Sequence, residues 1–185
     1  MAGVVVERVA PRDAYDVDEI LRACFSRPAE AMLVKQLAID GDLVLALIAR
    51  DEATRQAMGL VAVSKMHVAV GGDGVPAVAL APLAVLPGHR RDGVGEALVT
   101  AAIAAMRDAG ALLMFVLGEP GFYERFGFSV ESAAGFDSPY AGPYLMALEL
   151  QGGLPCGSRG LADHAPAFAA LSEPETAPAA TGDAP

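Results

Sequence analysis

Hydrophobic positions along this chain follow two periods, and the switches between them outline a series of strands and helices. Val4 to Val9 is a short apolar run that predicts a first strand. Pro11-Arg12-Asp13 then opens a helix to about Phe25, because Val17, Ile20, Leu21 and Cys24 fall at helical spacing. A second short helix is expected over Ala29 to Ile39, ended by Asp40-Gly41. Asp42 to Arg50 reads as an apolar strand, and the polar stretch Asp51 to Gln56 turns it into a hairpin partner over Met58 to Val70. Gly71-Gly72-Asp73-Gly74 marks another turn before a strand over Val75 to Leu86. Pro82 interrupts that strand and has no N–H to give to a ladder, which predicts a bulge or an open edge there.

The segment Gly93 to Ala109 has the clearest helical pattern. Val94, Leu98, Ala102, Ala105 and Met106 share one side, Val99 and Ile103 lie at its margin, and Glu96, Thr100 and Arg107 lie opposite. Gly110 ends this helix. Leu112 to Leu117 is a continuous apolar run, as expected of a strand buried on both faces. Strand, helix and strand should form a right-handed βαβ crossover with parallel flanking strands. A short helix over Pro120 to Phe126, closed by Gly127, and a strand near Leu145 to Leu150 complete the pattern. The expected fold class is α/β of mixed α+β character, a single domain over 1–171 with a core at 4–150 and an extension at 151–171. The stretch Ser172 to Pro185 is rich in Pro, Ala, Glu and Thr and is expected to be disordered.

Residues Leu83 to Leu98 carry the strongest chemical signal. An apolar strand (Leu83-Ala84-Val85) runs into the basic, glycine-rich turn His89-Arg90-Arg91-Asp92-Gly93-Val94-Gly95, and the turn runs straight into the helix. Such a turn leaves backbone N–H groups unpaired at the positive end of a helix dipole, a seat for phosphate or pyrophosphate. Arg90 and Arg91 add long-range attraction for an anion.

Composition narrows the partners. At 185 residues the chain can bury an ordinary core. Its apolar runs stop well short of the roughly 20 residues needed to span a bilayer, and no positive charge precedes the N-terminal apolar run. Cys24 and Cys156 are too few and too far apart for a disulfide framework or a zinc site, and each reads as a small buried hydrophobe. The expected compartment is a reducing cytoplasm, with no membrane partner and no metal. A net charge of −10 argues against a nucleic-acid binder and is compatible with a cationic amine substrate.

Two familiar phosphate motifs do not fit. A dinucleotide fingerprint needs a third glycine, but Gly93-Val94-Gly95 continues as Glu96-Ala97-Leu98. A Walker loop needs Gly-Lys-Ser/Thr after the turn, which is absent. Arg90-Arg91-Asp92-Gly93-Val94-Gly95 does fit [Q/R]-x-x-G-x-[G/A], and Phe122-Tyr123-Glu124-Arg125-Phe126-Gly127-Phe128 follows. Together these resemble the GNAT superfamily of acyl-CoA-dependent N-acetyltransferases, over roughly residues 4 to 150. Ala81 to Pro87, Phe115 to Tyr123, Tyr144 to Leu150 and Gly160 to Phe168 look like its YhbS-like branch.

The resemblance implies a GNAT acyl-CoA N-acyltransferase fold, a central twisted mixed sheet of six or seven strands around a βαβ acetyl-CoA-binding core. It implies acetyl-CoA as cosubstrate, its pyrophosphate on the amides of Arg90, Arg91, Asp92, Gly93, Val94, Gly95 and Glu96, and its pantetheine arm along Leu83, Ala84 and Val85. It implies direct attack of a neutral amine on the thioester, a backbone N–H near Val85 facing the developing oxyanion, and Tyr123 as general acid to the CoA thiolate. Many relatives carry a glutamate on the strand before the glycine turn, but Val78-Ala79-Leu80-Ala81-Pro82-Leu83 contains no acid. Glu119 is the first candidate for the base, with a helix N-terminal role as its plain alternative. His67 reads as an ordinary strand histidine, His89 as a possible phosphate contact, and His164 has no assigned role.

Two functions of different class follow. One is an N-acetyltransferase acting on a small-molecule or protein amine, as monomer or homodimer. The other is a non-catalytic acyl-CoA-binding sensor or partner-docking module, which the missing strand acid leaves open. The acceptor site is expected from the first two helices and Ser132 to Gly142, with Glu30 and Asp137 as acids that could line it.

Overall fold

The computed structural model describes residues 3–152, 154 and 159–172. The expectations for Cys156 and for the stretch beyond Ser172 lie outside the described residues. In chain order the elements are β1 (Val4–Arg8), a 3-10 turn (Pro11–Asp13), α1 (Ala14–Cys24), α2 (Pro28–Asp40), β2 (Leu43–Asp51), β3 (Ala57–Val70) and β4 (Asp73–Val85). There follow a 3-10 turn (Pro87–His89), α3 (Val94–Asp108), β5 (Leu113–Leu117), α4 (Pro120–Tyr123) with a 3-10 turn (Glu124–Phe126), and α5 (Val130–Ala133). The chain continues through β6 (Phe136–Asp137), β7 (Leu145–Glu149), β8 (Gly160–His164), a 3-10 turn (Pro166–Phe168) and α6 (Ala169–Ser172).

β3 organises the sheet because it is long enough to hold two partners on one edge. β2 pairs with its first half and β8 with its second, while β4 lies along the other edge. The sheet order is β1-β2-β3-β4-β5-β7, with β6 attached to β8. β4 and β5 are parallel, as a βαβ crossover through α3 requires. Among the described residues there are eight strands, against the six or seven or so expected. β6 spans only two residues, and β8 is Gly-Leu-Ala-Asp-His, without a β-branched residue. Tertiary pairing with the spare edge of β3, rather than propensity, makes β8 a strand. The short α5 and α6 also had no periodic signal long enough to read.

Alternation along the strands divides the core. Leu45, Leu47, Val61 and Val63 pack against Leu98, Val99, Ala102 and Met106 of α3. Ile48, Leu60, Ala62 and Ala84 face the other way, onto Ile20 and Leu21 of α1 and Val34 of α2. Val99 and Ile103, at the margin of the helical wheel, are buried because the twisted sheet wraps around α3. Gly59 allows this close approach: a Cβ there would lie 2.8 Å from the Ala84 carbonyl oxygen and 3.1 Å from Val94. No helix among the described residues is long and apolar enough to cross a membrane.

Two features of β4 shape the site. Leu83 pairs with Val61 but Leu80 with Val63, so Ala81 and Pro82 bulge opposite Ala62. Parallel pairing with β5 covers only Ala77–Ala79 against Leu113–Phe115. Beyond that point β4 runs on to Val85 with its β5-facing backbone groups free of β5.

A charged knot ties the N-terminal elements together. Arg50 of β2 donates from Nη2 to Asp13 (2.8 Å) and Asp16 (2.7 Å), and its Nε lies 3.6 Å from Glu7. The Ala10 N–H donates to Asp13 at 2.8 Å and does most to hold that carboxyl below the usual aspartate range; burial opposes it and Arg50 assists. A depressed carboxylate pKa stabilises the fold above the ordinary value and is lost as pH falls through the depressed one. Thermal melts should therefore show Asp13→Asn several degrees less stable than the parent at neutral pH. The gap should narrow as pH falls below about 4.

Candidate active site

The glycine turn has the geometry of an anion seat. Arg91 and Gly93 both adopt the left-handed conformation, with φ of 69° and 81°, and Gly93 is the N-cap of α3. Alternating the backbone this way turns successive amides toward one side. Among the described residues the amides of Arg90 to Glu96 meet no protein acceptor. They open on a cavity of about 620 Å³ lined by Leu83, Ala84, Val85, Arg90, Arg91, Gly93, Gly95 and Glu96, with Phe122 and Arg125 opposite. Arg125 pairs with Glu96 and lies 4.9 Å above the Phe122 ring, leaving Arg90 and Arg91 to offset a polyanion.

Two of the sequence-predicted cofactor residues stand apart. Val94 turns its side chain into the core, 1 % exposed, so only its amide can serve the turn. Asp92 is exposed and does not line the cavity. The two glycines act differently. Gly93 is needed for its positive φ, whereas a Cβ at Gly95 would meet the Phe122 ring at 3.4 Å. Cys24 also reaches this cavity, where burial pushes its thiol up against the lowering effect of Arg90.

A second cavity of about 360 Å³ opens where β4 and β5 part, and it shares Phe25 and Leu83 with the first. Ala79 to Leu83 form one wall and Phe115 to Leu117 another. Tyr123 lines it, 8 % exposed, and burial pushes its phenol up to about 12. Its hydroxyl has no hydrogen-bond partner among the described residues. The ring is fixed edge-on between Phe122 (4.9 Å) and Phe128 (5.9 Å). Beneath it lies Gly118, where a Cβ would come within 2.5 Å of the tyrosine ring. Gly118 escaped sequence reasoning, although a glycine directly after a buried strand was the available signal.

Other expected residues fall elsewhere. Glu119 is the N-cap of α4, where its carbonyl accepts the Phe122 and Tyr123 amides. Its side chain is exposed and lines neither cavity. His67 is exposed on β3, and His89 lines neither cavity. Within Ser132 to Gly142 only Tyr140 reaches the second cavity; Asp137 is exposed and pairs with β8. Glu30 of α2 does line it. His164, with no role assigned from sequence, lines it too, together with Phe168 and Leu171. The C-terminal segment thus forms one wall of the cavity.

Comparison with known proteins fits this geometry. The family described as acetyltransferase (GNAT) domain matches residues 6–130. The chain belongs to the GNAT acetyltransferase family and is an acyltransferase. It is 39% identical over 120 residues to the Escherichia coli K12 protein called uncharacterized N-acetyltransferase YhbS, spanning 65% of this chain and 70% of that one. The crystal structure of Escherichia coli YhbS in complex with CoA superposes with a TM-score of 0.81 at 31% identity, covering 91% and 93% of the two chains. A GNAT acetyltransferase from Brucella melitensis, in complex with acetyl-CoA, gives 0.71 at 27% identity over 91% and 99%.

The packing of Tyr123 on Gly118 has a spectroscopic consequence. Near-ultraviolet titration should show one of the four tyrosines ionising near pH 12. Gly118→Ala should push the ring toward solvent and bring that transition down toward about 10.

Proposed function

We propose that this chain transfers the acetyl group of acetyl-CoA to a primary amine within a ternary complex, with Tyr123 at the reacting centre. One observation carries the reading. The unpaired amides of the Arg90–Glu96 turn and the Tyr123 hydroxyl lie in two cavities that share Phe25 and Leu83. A candidate phosphate seat and a candidate proton donor therefore lie in adjoining cavities, along the part of β4 that β5 leaves unpaired. Acetyl-CoA supplies an activated thioester when bound.

The protein's own groups do the rest. The turn amides with Arg90 and Arg91 suit a pyrophosphate. The edge of β4 that β5 leaves unpaired beyond Ala79 offers backbone groups to an extended amide arm, as an added strand would use them, while the Val85 carbonyl already accepts from Arg90 Nε at 3.3 Å. A backbone N–H near Val85 stabilises negative charge on the reacting carbonyl oxygen.

Tyr123, at about 12, stays protonated across any ordinary working pH and meets the departing sulfur as a hydrogen-bond donor. Outright transfer of its proton to a thiolate of pKa about 8.5 would be uphill by roughly 3.5 units, about 5 kcal/mol. Tyr123 therefore hydrogen-bonds the departing sulfur and yields its proton only as it takes up another. The nitrogen–carbon bond forms, the carbon–sulfur bond breaks, and the proton shed by nitrogen ends on sulfur through the phenol. With Glu119 outside the cavity, the first proton of an ammonium substrate leaves to water.

The test is thiol release from acetyl-CoA by the purified chain in the presence of amines. Tyr123→Phe should lower kcat by about 100-fold or more while leaving CoA affinity, read by calorimetry, within twofold. Normal turnover in that variant would remove Tyr123 from the chemistry. In the parent, kcat/KM should rise with pH as the amine deprotonates and show no downturn from the phenol below about pH 11. Gly93→Val, strained at its positive φ, should weaken CoA binding by roughly tenfold.

A further inference from the structure

The second cavity has a charge pattern that acetyl transfer by itself does not demand. Glu30 is the only charged side chain among the described residues that line it, and no lysine or arginine does. Glu30 stands half-buried in the first turn of α2, with no salt bridge or hydrogen bond to any described residue. Around it the walls are apolar, with the rings of Phe25, Phe115, Tyr123, Tyr140, His164 and Phe168 set among aliphatic residues. His164 packs edge-on to Tyr140 at 4.8 Å and to Phe168 at 5.1 Å. Burial brings its pKa down to about 4, so the ring is neutral at ordinary pH, and its buried Nδ1 has no partner.

Resting on the acetyl-transfer reading above, we infer that the acceptor is a compact primary monoamine with an apolar, preferably aromatic, body, drawn in by Glu30. One carboxylate can match one ammonium. A polyamine or amino-sugar would bring further cations into an apolar space with nothing to pair them, at a steep desolvation cost. An amino acid or a phosphate-bearing amine would bring an anion to walls that offer no cation. An aromatic body, by contrast, removes its own surface and that of the cavity rings from water and gains edge-on ring contacts. The volume, near the lower end of the roughly 300–1,000 Å³ typical of ligand sites, holds a small body beside a thioester. The net charge of −10 favours the approach of a cation.

The experiment uses the purified full chain. Calorimetry with CoA comes first; no binding would remove the acetyl-transfer reading and this inference with it. Thiol release from acetyl-CoA is then compared for phenylethylamine, hexylamine, spermidine, kanamycin, glycine and a lysine-containing peptide. The expected order of kcat/KM puts phenylethylamine first and hexylamine second. Glu30→Gln should raise the amine KM by about 10- to 100-fold, Glu30→Asp by less, with CoA affinity unchanged in both. Three results would sink the substrate assignment while leaving CoA binding intact. They are faster turnover of spermidine, kanamycin, glycine or the peptide, an amine KM indifferent to Glu30→Gln, or no reaction with either monoamine.

Discussion

Parallel pairing between β4 and β5 stops after Ala79, and the two cavities depend on that early stop. Were the ladder to continue to Val85, backbone groups on the free edge would be consumed and Tyr123 would pack against a closed sheet. The bulge at Ala81-Pro82 helps to prevent this, since it bends β4 while β3 holds its other edge in register. The hydrophobic cores on either face of the sheet then fix the angle of divergence. α3 seats Leu98 and Ala102 on one side, and α1 seats Ile20 and Leu21 on the other. Opening the sheet leaves polar backbone without partners, a cost that a rigid flanking core must sustain.

The divergence separates two electrostatic environments only a few residues apart. The cavity at the head of α3 carries Arg90, Arg91 and a row of unpaired amides. The cavity adjoining it is apolar, aliphatic and aromatic by turns, with one carboxylate and a neutral histidine. Ligand groups are sorted by this contrast: anionic phosphates gain at the turn and would lose in the apolar space, and an apolar amine does the reverse. Leu83 and Phe25 stand at the junction, so a thioester reaching from one environment would meet an amine resting in the other.

Much of this was legible in the residues because local patterns and tertiary packing agree. The long alternating run of β3, the helical wheel of α3 and the Arg90–Gly95 turn all have strong local signals, and each forms within a residue or two of expectation. The Pro82 bulge was readable from the missing N–H alone. What was not legible depends on distant pairing. β8 is a strand only because β3 extends past the end of β2, and nothing within Gly160 to His164 encodes that. His164 and Phe168 therefore reached the cavity unannounced, whereas Glu30, one of the two acids expected to be able to line it, does so and Asp137 does not. Glu119 shows the converse: its nearness to Tyr123 in sequence carries no information about which way its side chain turns, and that side chain is exposed.

The absence of an acid from the strand before the turn becomes intelligible in the same terms. Burial in the second cavity raises the Tyr123 phenol and depresses His164, each in the direction that disfavours the charged form. An amine entering that space is subject to the same rule, and for an ammonium the rule favours loss of the proton. On the proposed reading Glu30 would work against this effect, holding the cation where the amine arrives, and the apolar interior would then favour the neutral nucleophile as the nitrogen moves toward the thioester. An apolar cavity with a carboxylate in its lining would thus divide between two regions what a single strand glutamate would do at one, capture of the cation and release of its proton.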